Sequence, residues 1–332
     1  MKLNSKSAQD GRFSIKIDTR EIEVRTSTIP GAYNDSIVMR VLNPDSISVP
    51  LEELGIHPRL LKKIEHELQK PNGMILNTGP TGSGKTTCLY AFLRKVHSPE
   101  VKIITIENPI EYHLPGIVQT QTDDKKEYTF ASGLRSALRQ DPDIIMVGEI
   151  RDAETAEIAI NSALTGHLVF STLHTNNAAG TFPRLIDLGV NPKILSSSIN
   201  MAMAQRLVRK LCQFCKKEIV VDEVSKKVID KILDDIIDKT YLDGINRDKM
   251  WKSDGCDKCN FTGYKGRIGI YEAIFMDEAI EQIIKENPSE REIEKAALPQ
   301  NVLNLTQDGV IKILQGVTTL SELGRVVDIS ME

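Results

Sequence analysis

The stretch Gly79-Pro-Thr-Gly-Ser-Gly-Lys-Thr-Thr87 decides the fold of this chain. It fits the pattern G-x-x-x-x-G-K-[ST], with an apolar run at residues 73–78 before it and a helix-compatible stretch at residues 85–96 after it. A strand, a glycine-rich loop and a helix in this order are typical of a phosphate-binding loop. Glycines let backbone N–H groups turn toward an anion, and the helix N-terminus adds partial positive charge. The pattern therefore predicts a nucleotide site.

The side chains of this loop have separate expected roles. Lys85 is expected to reach the β- and γ-phosphates, and the Thr86 hydroxyl is expected to ligate Mg²⁺. A chance glycine-rich turn is the alternative interpretation, which the Lys-Thr pair and the flanking strand and helix disfavour. The candidate nucleotide contacts are Gly79, Pro80, Thr81, Gly82, Ser83, Gly84, Lys85, Thr86 and Thr87.

Length and composition indicate a globular protein with one large and one smaller domain, since the chain has 332 residues, 40% of them hydrophobic. The net charge of −4 does not favour strong non-specific binding to nucleic acid. No apolar run approaches the roughly 18 residues of a membrane span, and the first ten residues lack the apolar core of a signal peptide. We therefore expect a cytosolic protein whose membrane contact is peripheral.

The N-terminal quarter reads differently from the rest. Period-2 apolar residues between positions 11 and 42 predict strands, in a piece too short to be a solid domain by itself. It has the pattern of the end of a small α/β module. Residues 43–50 read as a linker, and residues 51–69 have a helical pattern.

From residue 73 strands and helices alternate, which predicts a parallel sheet covered on both faces. Ligands of such sheets bind at the carboxyl ends of the strands. Glu107, Glu149 and His174 all fall at such ends. The predicted strands are residues 73–78, 101–106, 143–148 and 167–174, and the predicted helices are residues 85–96, 130–139, 176–188 and 194–207. Residues 151–157 are expected to open a further helix, with Asp152 as its N-cap residue.

Glu149 is the candidate catalytic carboxylate. Nucleotide hydrolysis needs a carboxylate that orients or deprotonates water, together with Mg²⁺ and positive charge on the γ-phosphoryl group. Glu149 follows four apolar residues, 144–147, so a rigid central strand would deliver it beside the phosphates. The aspartate usual at such a strand end is absent, and Gly148 stands there. A helix-capping glutamate is the alternative, which the phosphate loop disfavours.

Four of the five cysteines form two Cys-x₂-Cys pairs, Cys212 with Cys215 and Cys256 with Cys259, separated by 40 residues. Two such pairs can make a tetrahedral Cys₄ site, for which zinc is the default metal in the cytosol. Redox-active pairs are the alternative. Cys88 lies in the helix after the phosphate loop and is expected to be packed.

Five blocks together resemble the secretion ATPases of the type II secretion and type IV pilus superfamily. This resemblance implies a RecA-like P-loop motor domain with a mostly parallel sheet, joined to a PAS-like N-terminal domain and assembled as a ring hexamer. The tetracysteine module of this chain resembles those of assembly and secretion ATPases, whereas retraction ATPases generally lack one. The resemblance therefore favours a motor that extrudes a fibre over one that retracts it. The blocks are the phosphate loop and residues 106–111, 138–149, 165–174 and 204–209.

With this resemblance the chain divides into three parts. Little before residue 9 resembles a complete domain, so we expect a fragment, a truncated gene product or an incomplete sequence. A missing N-terminal part is expected to affect platform docking and ring assembly more than nucleotide binding. The parts are a partial PAS-like domain (1–43), a linker (44–54) and a RecA-like ATPase domain (55–332), which includes a zinc-binding subdomain (208–265) and C-terminal helices (277–332).

The resemblance also implies residue roles. Glu107 and Glu111 fall in the acidic box of the family, near the metal and the attacking water, and Asn108 stands where aspartate is frequent. His167 and His174 fall in the histidine box, where His174 is expected to contact or sense the γ-phosphate. A strand histidine taken alone would more often be a hydrogen-bonded core group.

Two arginines of the N-terminal piece, Arg25 and Arg40, match family arginines that reach the nucleotide. A guanidinium suits this role because it is planar, always charged and able to grip two phosphate oxygens. Without the resemblance they would be unremarkable surface residues of strands.

The sequence thus predicts an ATPase that uses ATP, Mg²⁺ and Zn²⁺. The resemblance implies a homo-hexamer on the cytoplasmic face of the inner membrane that drives pilin or pseudopilin assembly through a polytopic platform protein, without nucleic acid. The alternatives are a nucleic-acid-dependent RecA-like motor and an inactive nucleotide-binding paralogue. The sequence does not separate type II secretion, type IV pilus biogenesis and competence.

Overall fold

A computed structural model describes residues 7–17, 20–42 and 49–329. In it the strands before residue 43 and those after residue 73 form separate sheets. The first six residues of the predicted PAS-like domain lie outside these ranges, as do residues 43–48 of the predicted linker. The predicted domain limits stay predictions.

A three-stranded antiparallel sheet forms the N-terminal part of the structure. Its register pairs Arg12 with Arg25 and Arg25 with Arg40, so the three arginines lie side by side across the strands. Since alternate residues of a strand point to opposite faces, the three guanidinium groups share one face. The strands are β1 (Gln9–Ile17), β2 (Arg20–Ile29) and β3 (Ser36–Leu42).

A seven-stranded sheet and a separate two-stranded ribbon contain the remaining strands of the described chain. The large sheet consists of β4 (Gly73–Thr78), β5 (Ile103–Glu107), β6 (Val118–Gln121), β7 (Ile144–Val147), β8 (Leu168–Leu173), β9 (Ile199–Leu211) and β12 (Tyr264–Phe275), and the ribbon pairs β10 (Lys216–Val220) with β11 (Lys249–Ser253).

The order of the large sheet is β12-β9-β4-β8-β7-β5-β6. All neighbours are parallel except β12 and β9. Every residue of β4 and β8 is buried, as expected for parallel strands covered on both faces. The predicted α/β fold with a mostly parallel sheet is confirmed, and the strand that feeds the phosphate loop lies inside it.

Helices cover both faces of this sheet, and four of them follow its last strand in the described chain. Within the described ranges, none of them combines the length and the apolar character that crossing a bilayer requires. They are α1 (Pro58–Leu68), α2 (Lys85–Val96), α3 (Phe130–Leu138), α4 (Ala153–Leu164), α5 (Thr181–Asp187), α6 (Pro192–Ser198), α7 (Glu223–Asp234), α8 (Glu278–Glu286), α9 (Glu290–Ala297), α10 (Leu305–Leu314) and α11 (Leu320–Leu323).

The helix predicted for residues 194–207 is wrong, because α6 ends at Ser198 and β9 begins at Ile199. Residues 201–204 are methionine and alanine, which favour helices locally. In the structure these four side chains are fully buried, and their backbone pairs with β4 on one side and β12 on the other. Pairing within the sheet therefore overrides the local preference.

Two other predicted helices are shorter than expected. The helix predicted for residues 51–69 begins only at Pro58, because Gly55 has φ +87° and His57 is the extended N-cap residue. The helix predicted for residues 176–188 begins at Thr181. The residues before it form a loop whose side chains bind other elements.

Ile145 offers a test of this core, since it lies on β7 with no exposed surface. Replacing a buried isoleucine by alanine removes apolar contacts and leaves a cavity. We expect Ile145→Ala to lower the free energy of unfolding by about 2–5 kcal/mol in urea denaturation followed by circular dichroism. Ile237→Ala is the matched control, because Ile237 is 58% exposed. Similar losses in both variants would contradict this packing.

Candidate functional site

The loop at residues 79–84 curls tightly between β4 and α2, and the backbone of β9 sets its shape. Gly79 and Gly84 have φ values of +148° and +93°, which side chains rarely adopt. A Cβ on Gly79 would lie 2.6 Å from the Gln205 carbonyl oxygen, and one on Gly84 would lie 2.7 Å from Gln205 Nε2. Both positions therefore require glycine, for conformation and for space.

Lys85 points its amine into this loop. The side chain is only 9% exposed, and Nζ donates to the carbonyls of Gly79 (2.6 Å) and Pro80 (3.1 Å). Burial lowers the pKa of Lys85 to about 8, while the charge of Glu149 raises it and that of Arg206 lowers it further. An anion in the loop would be a better partner for this charge than the two carbonyls.

Glu149 lies across the cavity from the loop, with its side chain 12% exposed. Its Oε2 is 2.7 Å from Arg151 Nε and 3.4 Å from His174 Nε2. The structure thus brings together the predicted catalytic carboxylate and the predicted phosphate sensor. His174 is 45% exposed, so its ring remains accessible from the cavity.

Backbone hydrogen bonds hold Glu149 in place on both sides. Gly148 N donates to the Ile106 carbonyl (2.8 Å), and Ile150 N donates to the Thr172 carbonyl (3.0 Å). A Cβ on Gly148 would lie 3.2 Å from the Ile106 oxygen, a tight approach to the neighbouring strand. This contact gives a physical reason for glycine where an aspartate is usual.

The two predicted histidines lie at opposite ends of β8. His174 follows the carboxyl end, where its neighbour Thr175 is bound to Thr78 at the start of the phosphate loop, with the two hydroxyls 2.7 Å apart. His167 precedes the amino end, and its Nδ1 is 3.1 Å from the Ser162 carbonyl oxygen. The structure does not bring His167 to the site.

Glu107 is tethered under the cavity by three donors. Thr105 (2.6 Å) and Gln119 (3.1 Å) donate to its Oε1, and the Tyr90 hydroxyl donates to its Oε2. Burial raises the pKa of Glu107, these hydrogen bonds lower it, and the charge of Glu111 raises it. Its carboxyl group is therefore fixed in orientation.

Glu111 holds an arginine of the N-terminal sheet. Its Oε2 is 3.2 Å from the guanidinium of Arg25, which also donates to the Ile110 carbonyl (2.7 Å). Arg40 lies beside Arg25 on the next strand and lines the same cavity. The two predicted arginines are thus brought to the phosphate loop.

One cavity of about 580 Å³ joins these groups, within the roughly 300–1,000 Å³ range of small-molecule sites. Its walls are acidic on the side of β5 and β7 and basic on the side of the N-terminal sheet. Among the residues predicted for the site, those that line it are Arg25, Arg40, Thr81, Gly82, Gly84, Lys85, Thr86, Thr87, Glu107, Glu111, Glu149 and His174.

Sequence reasoning missed two arginines, one that lines the cavity and one beside the phosphate loop. Arg206, 8% exposed, donates to the carbonyls of Gln205 (3.1 Å) and Asn176 (2.5 Å), and burial lowers its pKa. Arg267 on β12 lines the cavity. The wrong helix prediction concealed the surroundings of Arg206. Only a strand places its two neighbours, Gln205 and Leu207, on the same face beneath the loop.

The four paired cysteines form a second cluster, built from the β9–β10 and β11–β12 turns. Their sulfurs lie within 4.8 Å of one another, with Sγ–Sγ distances of 3.9 Å for Cys212–Cys256 and 3.8 Å for both Cys215–Cys259 and Cys256–Cys259. A tetrahedral ion with bonds of about 2.3 Å would separate the sulfurs by about 3.8 Å. The cluster therefore fits one tetrahedral metal ion, whereas Cys88 is buried in α2.

The chain is similar to known proteins over most of its length. A family model described as "Type II/IV secretion system protein" matches residues 2–325. "Type II secretion system protein E" of Aeromonas hydrophila is 44% identical over 318 residues, covering 96% of this chain and 61% of that protein. "Type IV pilus assembly ATPase PilB" of Thermus thermophilus is 41% identical, covering 96% of this chain and 35% of that protein. This chain spans about three-fifths of the length of its type II relatives.

Solved structures share the fold. The pilus retraction motor PilT with bound ADP superposes with a TM-score of 0.65 at 27% identity, covering 96% of this chain and 78% of the other. The ATPase DotB of Legionella pneumophila gives 0.65 at 22% identity, covering 97% and 77%. The RecA-like fold expected for the large domain is that of these ATPases.

The lowered pKa of Lys85 predicts a pH dependence. With a pKa of about 8 the amine is mostly charged at pH 7 and mostly neutral at pH 9. If only the charged form binds phosphate, the Kd for ATP or pyrophosphate should rise about tenfold over this range. Calorimetric titration at both pH values checks this.

Lys85→Arg is the matched variant for this titration, since an arginine keeps its charge at both pH values. We expect its affinity for the same ligand to be weaker but nearly constant with pH. An unchanged wild-type Kd between pH 7 and 9 would contradict the role given to Lys85.

Proposed function

The chain belongs to the type II/IV secretion system protein family, and we propose that it binds ATP with Mg²⁺ and hydrolyses the γ-phosphoryl group. One observation carries this proposal. The buried amine of Lys85 and the carboxylate of Glu149 face the same cavity, with His174 beside the carboxylate. These are the parts that phosphoryl transfer to water requires: a cradle, a group that activates water and a donor to the phosphoryl oxygens.

In the proposed mechanism the loop amides and Lys85 hold the phosphate chain. Thr86 would ligate Mg²⁺, which supplies charge neutralisation on the phosphate oxygens. Glu149 orients the attacking water and accepts its proton, and the contact with Arg151 at 2.7 Å holds its carboxylate in position. His174 donates to an oxygen of the departing phosphoryl group. The products are ADP and inorganic phosphate.

The N-terminal arginines are proposed to complete the charge stabilisation. Arg25 is bound to Glu111 and to the Ile110 carbonyl, at the rim of the cavity. A phosphate oxygen would compete with Glu111 for this guanidinium, so Arg25 and Arg40 are proposed to move onto the nucleotide during turnover. Glu111 and the tethered Glu107 are proposed to orient water around the metal.

The four-cysteine cluster is proposed to bind structural zinc. Its sulfur separations suit a tetrahedral ion, and all four positions are taken by cysteine, as in closed structural sites. The metal would hold the β9–β10 and β11–β12 turns together, and no part of the hydrolysis step involves it.

The cellular role is proposed from the relatives. Type II secretion system protein E and the type IV pilus assembly ATPase PilB are 41–44% identical to this chain, against 27% for the retraction motor PilT. This favours assembly of pilin or pseudopilin subunits by a homo-hexamer bound to a polytopic platform protein, at the cytoplasmic face of the inner membrane. A nucleic-acid motor is not favoured.

Glu149→Gln tests the hydrolytic part of the proposal. The substitution keeps the shape of the side chain but removes the base, so ATP turnover should fall at least about 100-fold. The Kd for ATP should change little, because Lys85 and the loop remain. Phosphate release and nucleotide titration measure the two quantities.

Glu157→Gln is the control for this variant, since Glu157 is an exposed residue of α4. It should keep full turnover. Turnover near the wild-type rate in Glu149→Gln would contradict the mechanism, and an unmodified chain that binds ATP without turnover would be an inactive paralogue. Strong, salt-sensitive stimulation by DNA would instead support the nucleic-acid motor.

Metal analysis tests the zinc site. We expect about one zinc ion per chain, lost in Cys212→Ser together with a lower thermal midpoint, because binding of a structural ion contributes to folding. Cys88→Ala should keep the metal, since Cys88 lies apart from the cluster. Zinc retained in Cys212→Ser would refute the four-ligand assignment.

A further inference from the structure

The segment at residues 174–178, which we call the relay loop, joins the phosphate site to the C-terminal helices. Its first residue, His174, lies beside Glu149. Thr175 N donates to Thr78 Oγ1 (2.8 Å), at the end of the strand that enters the phosphate loop. The Asn176 carbonyl accepts from Arg206 (2.5 Å). This half of the loop is thus fixed to the groups around the phosphate site.

The next residue binds a different part of the molecule. The amide nitrogen of Asn177 donates to Glu290 Oε1 (2.6 Å) and to Glu294 Oε1 (2.8 Å), both on α9. The amide oxygen of Asn177 accepts from Gly180 N (2.8 Å), which fixes the orientation of the side chain. Both bonds have a carboxylate as acceptor, which favours them over bonds between neutral groups, and both lie at the surface.

The last residue of the relay loop makes a second link. Ala178 N donates to Glu272 Oε1 (2.7 Å), and Oε2 of the same carboxylate accepts from Leu305 N (3.1 Å), the first residue of α10. Burial raises the pKa of Glu272, and these two hydrogen bonds lower it. Two helices are therefore tied to successive residues of one loop.

Helix α9 also packs against α8, and Ala296 and Ala297 lie against the core. It is eight residues long and buries one side chain, Ile293. A helix of this length is marginal in isolation and takes its stability from its contacts. The two carboxylates that Asn177 binds therefore add a polar link between α9 and the relay loop to this apolar packing.

We propose that Asn177 is a positioning residue that couples α9 to the occupancy of the phosphate site through the relay loop. The inference rests on the proposed ATP site. A γ-phosphate offers His174 a new anionic partner in place of Glu149, and any shift of the loop reaches Asn177 three residues later. Coupling of this kind is reciprocal, so the position of α9 also affects nucleotide affinity.

Hydrogen exchange of the full chain tests this inference, with and without a non-hydrolysable ATP analogue and Mg²⁺. In the wild type we expect the amides of α9 to exchange at least about threefold more slowly once the analogue is bound. In Asn177→Asp the donor is lost and three carboxylates face one another, so α9 should exchange fast in both states. The analogue should still bind, because Lys85 and the loop are unchanged.

A donor–acceptor exchange separates this link from a general loss of structure. Combining Asn177→Asp with Glu290→Gln and Glu294→Gln gives side-chain amides on α9 that can donate to a carboxylate in the loop. We expect this triple variant to regain the slower exchange of α9 on binding the analogue. Gln282→Ala is the control, since the amide of Gln282 bonds to Glu286 within α8. It should respond as the wild type does.

The outcomes separate the inference from the proposal beneath it. Binding of the analogue by the wild type without slower exchange in α9 overturns the inference alone. A normal α9 response in Asn177→Asp, or no recovery in a triple variant that melts at the wild-type temperature, also overturns it. Failure of the wild type to bind the analogue overturns the ATP site, and the inference with it.

Discussion

The buried charge of Lys85 is the constraint on which the rest of the site depends. An amine that is 9% exposed loses most of its hydration, and its burial costs free energy unless dipoles or charges replace the water. Two loop carbonyls and the field of Glu149 do so here, and the lowered pKa shows that they do so only in part. The loop is therefore poised for an anion, and Gln205 on β9 leaves no room for side chains at Gly79 and Gly84.

The topology of the sheet brings the remaining groups to this amine. Parallel strands end at the same edge, so Glu107, Glu149 and His174 meet although up to 67 positions separate them in the sequence. Two further connections leave this edge. Glu111 holds Arg25 of the N-terminal sheet, and the relay loop reaches α9 and α10. The candidate site thus contacts both flanking parts of the chain.

Local signals predicted much of this from the sequence. The phosphate loop, helix α2 and the cysteine pairs are coded by neighbouring residues, and α2 begins and ends where the pattern predicts. The strand ends predicted Glu149 and His174.

Long-range contacts could not be predicted in this way. β9 looks helical because its methionines and alanines are good helix formers, and only its place between β4 and β12 makes it a strand. Tyr90 and Asn177 act through partners 17 and 113 positions away.

A crystal structure of the chain with Mg²⁺ and a non-hydrolysable ATP analogue tests the central claim most directly. We predict that Lys85 Nζ leaves the Gly79 and Pro80 carbonyls and lies within hydrogen-bond distance of the β- and γ-phosphates. The γ-phosphate should then lie between the loop and the Glu149–His174 pair. An analogue bound elsewhere, or phosphates in the loop with Lys85 still on the two carbonyls, would contradict the account.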